Sequence, residues 1–399
     1  KDRMRMEKDA AAVHVETKRM FSERKGKSEN GRLPKIMLGI SGGVDSTTAA
    51  LLLLKQGFEV YGLYFNIHEE GTGECDAALL AMTEAYRACG FSEKLAEEHF
   101  LYRNASELFR KTVISDFCQE YRAGRTPNPC VLCNPTVKFR LLLEEANRIG
   151  AEFLATGHYA EIRYDLSRDT YYAAASQNPK DQSYMLYRLP QEILSRLILP
   201  LSKFSNKEET REIASKNHMS NAERADSQEI CFIPPGMNYM EYISAYDGQT
   251  SGTPGDFIDR NGKVLGRHKG LIHYTIGQRK GLGIALGKPA FVTAMDSVCN
   301  TVTLGENDDL FRDCADVSDL FFTETGSTAM PTSIDEGALT AKVRYAAPRT
   351  SVRITEMKTE NGEPVLTVHF SRPQRAITPG QSLVLYEGDQ VIGGGRILR

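Results

Sequence analysis

No tryptophan occurs among the 399 residues, and no apolar stretch approaches the length needed to cross a bilayer. The longest leucine block, Leu51 to Leu54, is stopped by Lys55, so no membrane association is expected. Net charge is scarce too. Forty-nine basic and 52 acidic side chains leave −3, so a polyanion would have to be met by a local basic surface rather than by the chain as a whole. Eight cysteines are too few and too unevenly spaced for a secreted disulfide scaffold, which points to thiols that do chemistry in a reducing cytoplasm. The segment before Leu33 has no apolar core, unlike a secretory signal, and Asp9, Glu16 and Glu23 argue against an organelle transit peptide. A charged, solvated and partly helical extension over residues 1–33 is expected.

What is present is length for two or three domains and the composition of a soluble globular protein, 41% hydrophobic and 25% charged. Pro34 to Ile40 reads as a buried strand, Thr47 to Lys55 as a helix ended by Gly57, and Phe58 to Phe65 as a second strand. Helices are expected at Ala77–Ala88, Ser106–Tyr121 and Lys138–Arg148. Ala151 to Ala155 then leads into Thr156-Gly157-His158-Tyr159. This alternation predicts an α/β fold with a parallel sheet whose ligand sits at the carboxyl ends of the strands. Beyond about Pro200 come a charged helix, Lys207–Lys216, and a Gly/Pro-punctuated stretch to Gly287. Short alternating strands follow at Phe291–Met295, Thr301–Leu304, Thr340–Tyr345, Val365–Phe370, Ser382–Tyr386 and Val391–Gly393. Turns such as Asn361-Gly362 and Glu387-Gly388 separate them, as in a small antiparallel barrel or sandwich.

The strongest local signal is Ser41-Gly42-Gly43-Val44-Asp45-Ser46, set between a strand and a helix. Its glycines let backbone amides converge, the helix adds its positive end, and Ser41, Ser46 and Thr47 add hydroxyls, which together make an anion nest. It is not a Walker loop, because the lysine that would face a γ-phosphate is missing. A second signal is Arg125-Thr126-Pro127-Asn128-Pro129-Cys130-Val131-Leu132-Cys133, where two prolines stiffen a CxxC pair able to share a metal or exchange as a disulfide. No second pair completes a zinc site. Cys231, in Asp226-Ser227-Gln228-Glu229-Ile230-Cys231, is the remaining partner candidate, while Cys89 and Cys118 read as helix packing. The run Arg267, His268, Lys269, Arg279 and Lys280 is either a solvated face or a place for a phosphate backbone, and RNA contact is the favoured reading.

The glycine loop resembles the PP-loop of ATP pyrophosphatases. Beyond Leu33 the chain resembles tRNA-specific 2-thiouridylases over nearly its whole length, through Gly39–Ser46, Gly124–Phe139, Ala155–Ala160, Lys180–Tyr184, Ser227–Phe232, Gly270–Gly283 and Pro373–Ser382. The resemblance implies a PP-loop domain over 34–205, a central tRNA-binding domain over 206–287 and a C-terminal β-barrel over 288–399. It implies adenylation of O2 of a tRNA wobble uridine by ATP, followed by sulfur transfer to C2. Gly39, Ile40, Ser41, Gly42, Gly43, Val44, Asp45 and Ser46 would hold ATP, with Asp45 on Mg2+ and with Phe65 and Gly157 beside the nucleotide. Cys133 would be the nucleophile and Cys231 the persulfide carrier, loaded by a sulfur-donor protein and leaving a Cys133–Cys231 disulfide. Asn128, Pro129 and Cys130 would line the flipped base. His158, Lys180, Asp181, Gln182, Arg344, Tyr345 and Gln381 would contact tRNA.

Many members of that family carry Asp where this chain has Cys130. Cys130, Cys133 and Cys231 could instead ligate an iron–sulfur cluster that carries the sulfur, and both routes stay open on sequence. Two other classes compete: a PP-loop ligase, which would have no use for Cys133 or Cys231, and a non-catalytic tRNA-binding protein, which would have no use for an intact loop.

Overall fold

The structure is a computed structural model that describes residues 33–398 except 70–72, 225–229, 249–251 and 361. The expected N-terminal extension up to Arg32, the lead-in to Cys231 over 226–229 and the turn residue Asn361 lie outside the described residues. By contacts the chain forms two units. One runs to Phe109 and again from Cys133 to Ser227; the other comprises Arg110–Leu132 and Gln228–Arg399. The first unit thus takes in the Lys207–Lys216 helix, beyond the break expected after residue 205.

The first unit is built on β1 (Lys35–Gly39), β2 (Glu59–Asn66), β3 (Phe100–Asn104), β4 (Phe153–Ala155) and β7 (Leu197–Ile198), and it also contains an antiparallel hairpin of β5 (Glu161–Asp165) and β6 (Thr170–Ala174). The five strands form a parallel sheet in the order β3-β2-β1-β4-β7. Ile36, Met37 and Leu38 of β1 are fully buried, which is why the strand reads as an unbroken apolar run. The chain steps outward from β1 to β2 to β3, then returns to the other side of β1 as β4. The crevice past the carboxyl ends of β1 and β4 is therefore the topological switch point, where such sheets bind ligands. β1 ends in the glycine loop and β4 ends in Thr156-Gly157-His158.

Between β1 and β2 the helix Val44–Lys55 is buried almost all round, from Val44 through Leu54. It starts three residues earlier than its apolar pattern predicts. Gly43 is the N-cap, and its carbonyl accepts from the Thr47 amide at 3.1 Å. The expected single helix over Ser106–Tyr121 is instead α-helical at Ser106–Phe109, a π turn at Arg110–Ile114 and α-helical again at Ser115–Arg122. A second π turn, Asn134–Lys138, joins Pro129–Cys133 to Phe139–Ile149. There Pro135 has no amide proton to keep the ordinary helical ladder.

In the second unit β8 (Gly255–Ile258), β9 (Val264–His268), β10 (Phe291–Asp296) and β11 (Thr301–Gly305) form a small sheet in the order β10-β11-β8-β9. Phe257, Tyr274, Val292 and Val302 fill its core. β12 (Phe311–Phe322), β13 (Leu339–Lys342), β14 (Thr350–Glu360), β15 (Glu363–Arg375), β16 (Ser382–Glu387) and β17 (Gln390–Ile397) pair antiparallel in the order β12-β15-β14-β13-β16-β17. β17 then pairs back onto β12, Val317 opposite Ile397 and Phe322 opposite Gly393. The strand region is thus a closed barrel rather than a sandwich. Closure depends on Gly393-Gly394-Gly395: added Cβ atoms there would lie 2.5 Å from the Phe321 carbonyl oxygen, 2.3 Å from that of Leu383 and 2.4 Å from that of Ser318. Gly394→Ala is therefore expected to cost about 1–3 kcal/mol of stability, read as a lower urea midpoint.

Candidate active site

The glycine loop turns as its composition requires. Gly42 has φ +74°, and a Cβ there would come within 2.9 Å of the Ala77 backbone, so no other residue fits. Ser46 Oγ and Thr47 Oγ1 each donate to the Gly43 carbonyl at 3.0 Å, while the Ser41 amide donates to Ser46 Oγ at 3.3 Å. Because the ladder begins with Thr47 on Gly43, the amides of Val44, Asp45 and Ser46 have no intrahelical acceptor, which is the donor set of an anion site. Asn221, buried, braces the loop from behind by donating to the Gly42 carbonyl at 2.9 Å and to Thr47 Oγ1 at 2.7 Å. Gly39 and Ile40 lead into the turn, and Ile40 still pairs with Leu63. Phe65 lies two residues past the Gly39–Leu63 pairing, at the same end of the sheet.

Asp45 is the hub. Its Oδ1 accepts from Tyr159 Oη at 2.7 Å, and its Oδ2 lies 2.8 Å from Lys207 Nζ. Tyr159 also meets Thr210 Oγ1 at 2.9 Å, and Thr210 stands on the same helix as Lys207. Gly157 is pressed against this hub, since a Cβ there would lie 2.8 Å from the Asp45 carbonyl carbon and 2.9 Å from the Ser46 amide nitrogen. Gln182 clamps Tyr159 from both sides: the Tyr159 amide donates to Gln182 Oε1 at 2.9 Å and the Gln182 amide donates to the Tyr159 carbonyl at 2.7 Å. Asp181 accepts from the amides of Ser176 and Ser183 and from Ser183 Oγ. The Lys180 amide donates to Asn178 Oδ1, and its side chain is on an exposed residue. The side chains of Asp181 and Gln182 are thus spent inside the fold, on the route that ends at Asp45.

His158 Nδ1 sits 2.7 Å from Thr156 Oγ1, and its ring stacks near Phe139. Burial, with Lys138 nearby, drives its pKa well below the usual histidine range, so the ring is neutral near pH 7. The run around His268 does not form one basic face. His268 is buried, with Nε2 3.0 Å from the Asn300 carbonyl and Nδ1 accepting from the Gly270 amide, and burial lowers its pKa. Arg267 is matched by Asp256 at 2.8 Å. Arg279, Lys280 and Lys269 are exposed.

In the second unit the base of the CxxC loop is held by the barrel. The Thr126 amide donates to the Pro379 carbonyl at 2.8 Å, and Gln381 Nε2 donates to the carbonyls of Thr126 at 2.8 Å and Pro127 at 3.2 Å. Gly380, at φ +90°, lies so close that a Cβ would be 2.9 Å from the Thr126 amide. Arg125 Nε donates to the buried Glu120 at 2.8 Å, and Arg396 of β17 reaches both Asp116 at 2.9 Å and Glu120 at 3.1 Å. This network, with Gln381, fixes Asn128 just ahead of the helix Pro129–Cys133, which carries Cys130 and Cys133. Cys130 and Cys133 are three residues apart on that helix, a spacing that puts two side chains on one side of a turn. Cys130 is exposed and Cys133 half-buried.

Cys231 is exposed beside Phe232, whose buried ring packs edge-on against Phe117 at 5.2 Å. Burial raises the thiol pKa of Cys75, Cys89 and Cys314, and Cys118 is buried, so these are poor nucleophiles. Arg344 donates to the carbonyls of Arg375 and Ala376, and Tyr345 lies beside Lys342. Among the described residues no group of three or more His, Cys, Asp or Glu side chains is gathered to hold a metal ion, and no helix is long and apolar enough to cross a membrane.

Tyr159, Lys207, Thr210 and Asn221 are site residues that motif reading missed. Tyr159 lies inside the Thr156-Gly157-His158-Tyr159 motif but is given no role by it. Lys207 opens a helix that reads only as charged, and nothing in the sequence distinguishes it from its neighbours.

Three family models match the chain: a tRNA methyl transferase HUP domain over 34–235, a tRNA methyl transferase PRC-barrel domain over 241–306 and an aminomethyltransferase β-barrel domain over 318–397. The tRNA-specific 2-thiouridylase MnmA of Lachnoclostridium phytofermentans is 41% identical over 380 residues, which span 92% of this chain and 100% of the relative. The chain belongs to the tRNA-specific 2-thiouridylase family. The Clostridium perfringens member of this 2-thiouridylase family is 42% identical over 91% of this chain and 98% of its own. Among solved structures, the U34-tRNA thiolase NcsA of Methanococcus maripaludis with its 4Fe–4S cluster aligns over 55% of this chain and 69% of its own at 18% identity and a TM-score of 0.33. That likeness is too low for its cluster to bear on a 2-thiouridylase.

Two outcomes follow from this geometry. Tyr159→Phe removes a hydroxyl shared by Asp45 and Thr210; it is expected to cost about 1 kcal/mol of stability and to raise the KM for ATP, measured by urea unfolding and initial rates. In an NMR titration the His158 ring is expected to stay neutral as pH falls through about 6.5, where an unfolded histidine protonates. Protonation of the unfolded form alone makes stability fall with pH below that value, and replacing His158 by Asn is expected to flatten that slope.

Proposed function

We propose that this chain thiolates a tRNA uridine at C2, using ATP to activate the O2 of the wobble base. The observation that carries the reading is the phosphate nest at the sheet switch point, its Asp45 fixed from two sides, in a chain that also carries a proline-stiffened CxxC loop and an exposed Cys231. A ligase that only amidates a carbonyl has no need of those thiols. Methyl transfer, named in the descriptions of the family models, has no need of the nest.

ATP would lie with its phosphates on the amides of Val44 to Ser46, its adenosine near Phe65 and Gly157. Asp45 is a hard oxygen donor beside the nest, already matched by a cation in the structure, and it fits a Mg2+ ion held jointly with phosphate oxygens. When bound, that ion supplies charge neutralisation to the phosphates. The O2 of the uridine attacks the α-phosphorus, pyrophosphate leaves with the bond pair, and the base becomes a good acceptor at C2. A sulfur-donor protein bearing a persulfide passes its outer sulfur to Cys231 and departs as a thiol. That sulfur attacks C2 and AMP leaves. The Cys133 thiolate takes the inner sulfur, forming a Cys133–Cys231 disulfide that a reductant reopens. Asn128, Pro129 and Cys130 are assigned to the flipped base; Lys180, Arg344, Tyr345 and Gln381 to tRNA. His158 is assigned a neutral contact, and Asp181 and Gln182 act by positioning Tyr159. Such a thiol relay suits a cytoplasmic setting.

Among the described residues no three His, Cys, Asp or Glu side chains form a metal-binding group, and the thiol relay needs no iron–sulfur cluster. No step is assigned to it. The two halves of the reaction separate experimentally. Asp45→Ala is expected to abolish tRNA-dependent ATP–pyrophosphate exchange, whereas Cys231→Ser is expected to keep the exchange and lose thiolation. Full thiolation by Cys231→Ser would defeat the relay.

A further inference from the structure

We infer that Lys207 is the phosphate-binding cation that the glycine loop itself lacks, and that it trades Asp45 for the pyrophosphate end of ATP when the metal–nucleotide complex binds. The inference deepens the function proposed above and rests on it. The loop Ser41–Ser46 has glycines, amides and hydroxyls but no lysine. Lys207, 162 positions along the chain, places its ammonium 2.8 Å from Asp45 Oδ2. Its side chain is 11% exposed, against 30% for Asp45, so the cation is the more desolvated partner.

The backbone around Lys207 is fixed by contacts that do not involve its ammonium. Asn206 caps its helix by accepting from the Glu209 amide at 3.0 Å, Thr210 on the next turn bonds Tyr159 Oη, and its carbonyl accepts from Thr48 Oγ1 at 3.4 Å. With the helix held independently, the four-carbon stem of Lys207 can swing while its base stays put. A structural strut would not need a charge that costs several kcal/mol to desolvate when Tyr159 already ties Asp45 to the same helix.

The charges balance in the exchange. In the structure Asp45 and Lys207 neutralise each other. When Asp45 turns to the metal ion that accompanies ATP, Lys207 is left facing the phosphates. The bond from uridine O2 to the α-phosphorus forms, the bond from that phosphorus to the bridging oxygen breaks, and the electron pair leaves with pyrophosphate. Lys207 stabilises the negative charge that grows there, as a preorganised donor does in a partly dry site.

The test uses the full chain and two readouts. Lys207→Met is expected to lower kcat for tRNA-dependent ATP–pyrophosphate exchange by roughly 10²-fold, the loss typical of one preorganised donor. With no nucleotide present, the same variant is expected to bind Mn2+ more tightly than wild type, because the ammonium no longer competes for Asp45. A bridge that merely holds the helix would not raise metal affinity. Exchange by a folded Lys207→Met at the wild-type rate, or Mn2+ affinity unchanged, overturns the inference while leaving the thiolation reading intact. Wild type without any tRNA-dependent exchange would instead overturn that reading. If the Met variant fails to fold, Lys207→Arg decides: a two-pronged guanidinium on Asp45 predicts weaker Mn2+ binding than wild type, and equal or tighter binding contradicts the trade.

Discussion

A single carboxylate organises the nucleotide end of this protein. Asp45 is the second residue of a helix that is buried nearly all round, so its backbone cannot move without moving the core. Its two oxygens are taken by Tyr159 and Lys207, which come from the end of β4 and from a helix far along the chain. Gly157 presses on its backbone at a distance that admits no side chain, and Gln182 locks Tyr159 in turn. Three stretches of sequence thus converge on one charged group, and the open amides of the nest are held where they are because that group is held.

The second unit solves a different problem with the same means. A reactive loop must be rigid without being buried, and Arg125-Thr126-Pro127 is tied down by partners that leave Cys130 exposed. Gln381 and Pro379 pair with its backbone, Gly380 allows the approach, and the Asp116, Glu120, Arg125 and Arg396 network anchors the helix ahead of it. Burial pushes the Asp116 carboxyl pKa up even though Arg396 draws it down, which marks how dry this network is. The barrel that supplies Gln381 and Arg396 is closed by three glycines, so a loop near residue 126 depends on strand geometry near residue 394.

How far the sequence reaches follows from the range of each interaction. The glycine loop and the α/β alternation are local, and each reads correctly because turn chemistry and strand periodicity act over a few residues. The CxxC segment, by contrast, reads as a loop and folds as the short helix Pro129–Cys133. The break of the Ser106–Tyr121 helix into α, π and α turns is less legible, since no proline or glycine marks it. Choosing barrel over sandwich required the β12–β17 pairing, which joins residues some 80 apart. The same holds for Lys207, whose partner is chosen by the packing of its helix, and for His268, which composition placed on a basic surface and packing placed in the core. Asp181 and Gln182 stand in a motif that resembles a tRNA-contact segment, yet the fold takes up their side chains.

The central claim is that one chain joins ATP cleavage at the Asp45 loop to sulfur delivery onto a tRNA base. It is tested most directly with iron-free wild-type protein given ATP, Mg2+, tRNA and a persulfide donor, followed by nucleoside mass spectrometry and analysis of the nucleotide products. The predicted result is 2-thiouridine formed in step with AMP and pyrophosphate. Unmodified tRNA, or ATP cleaved to ADP and phosphate, would contradict it.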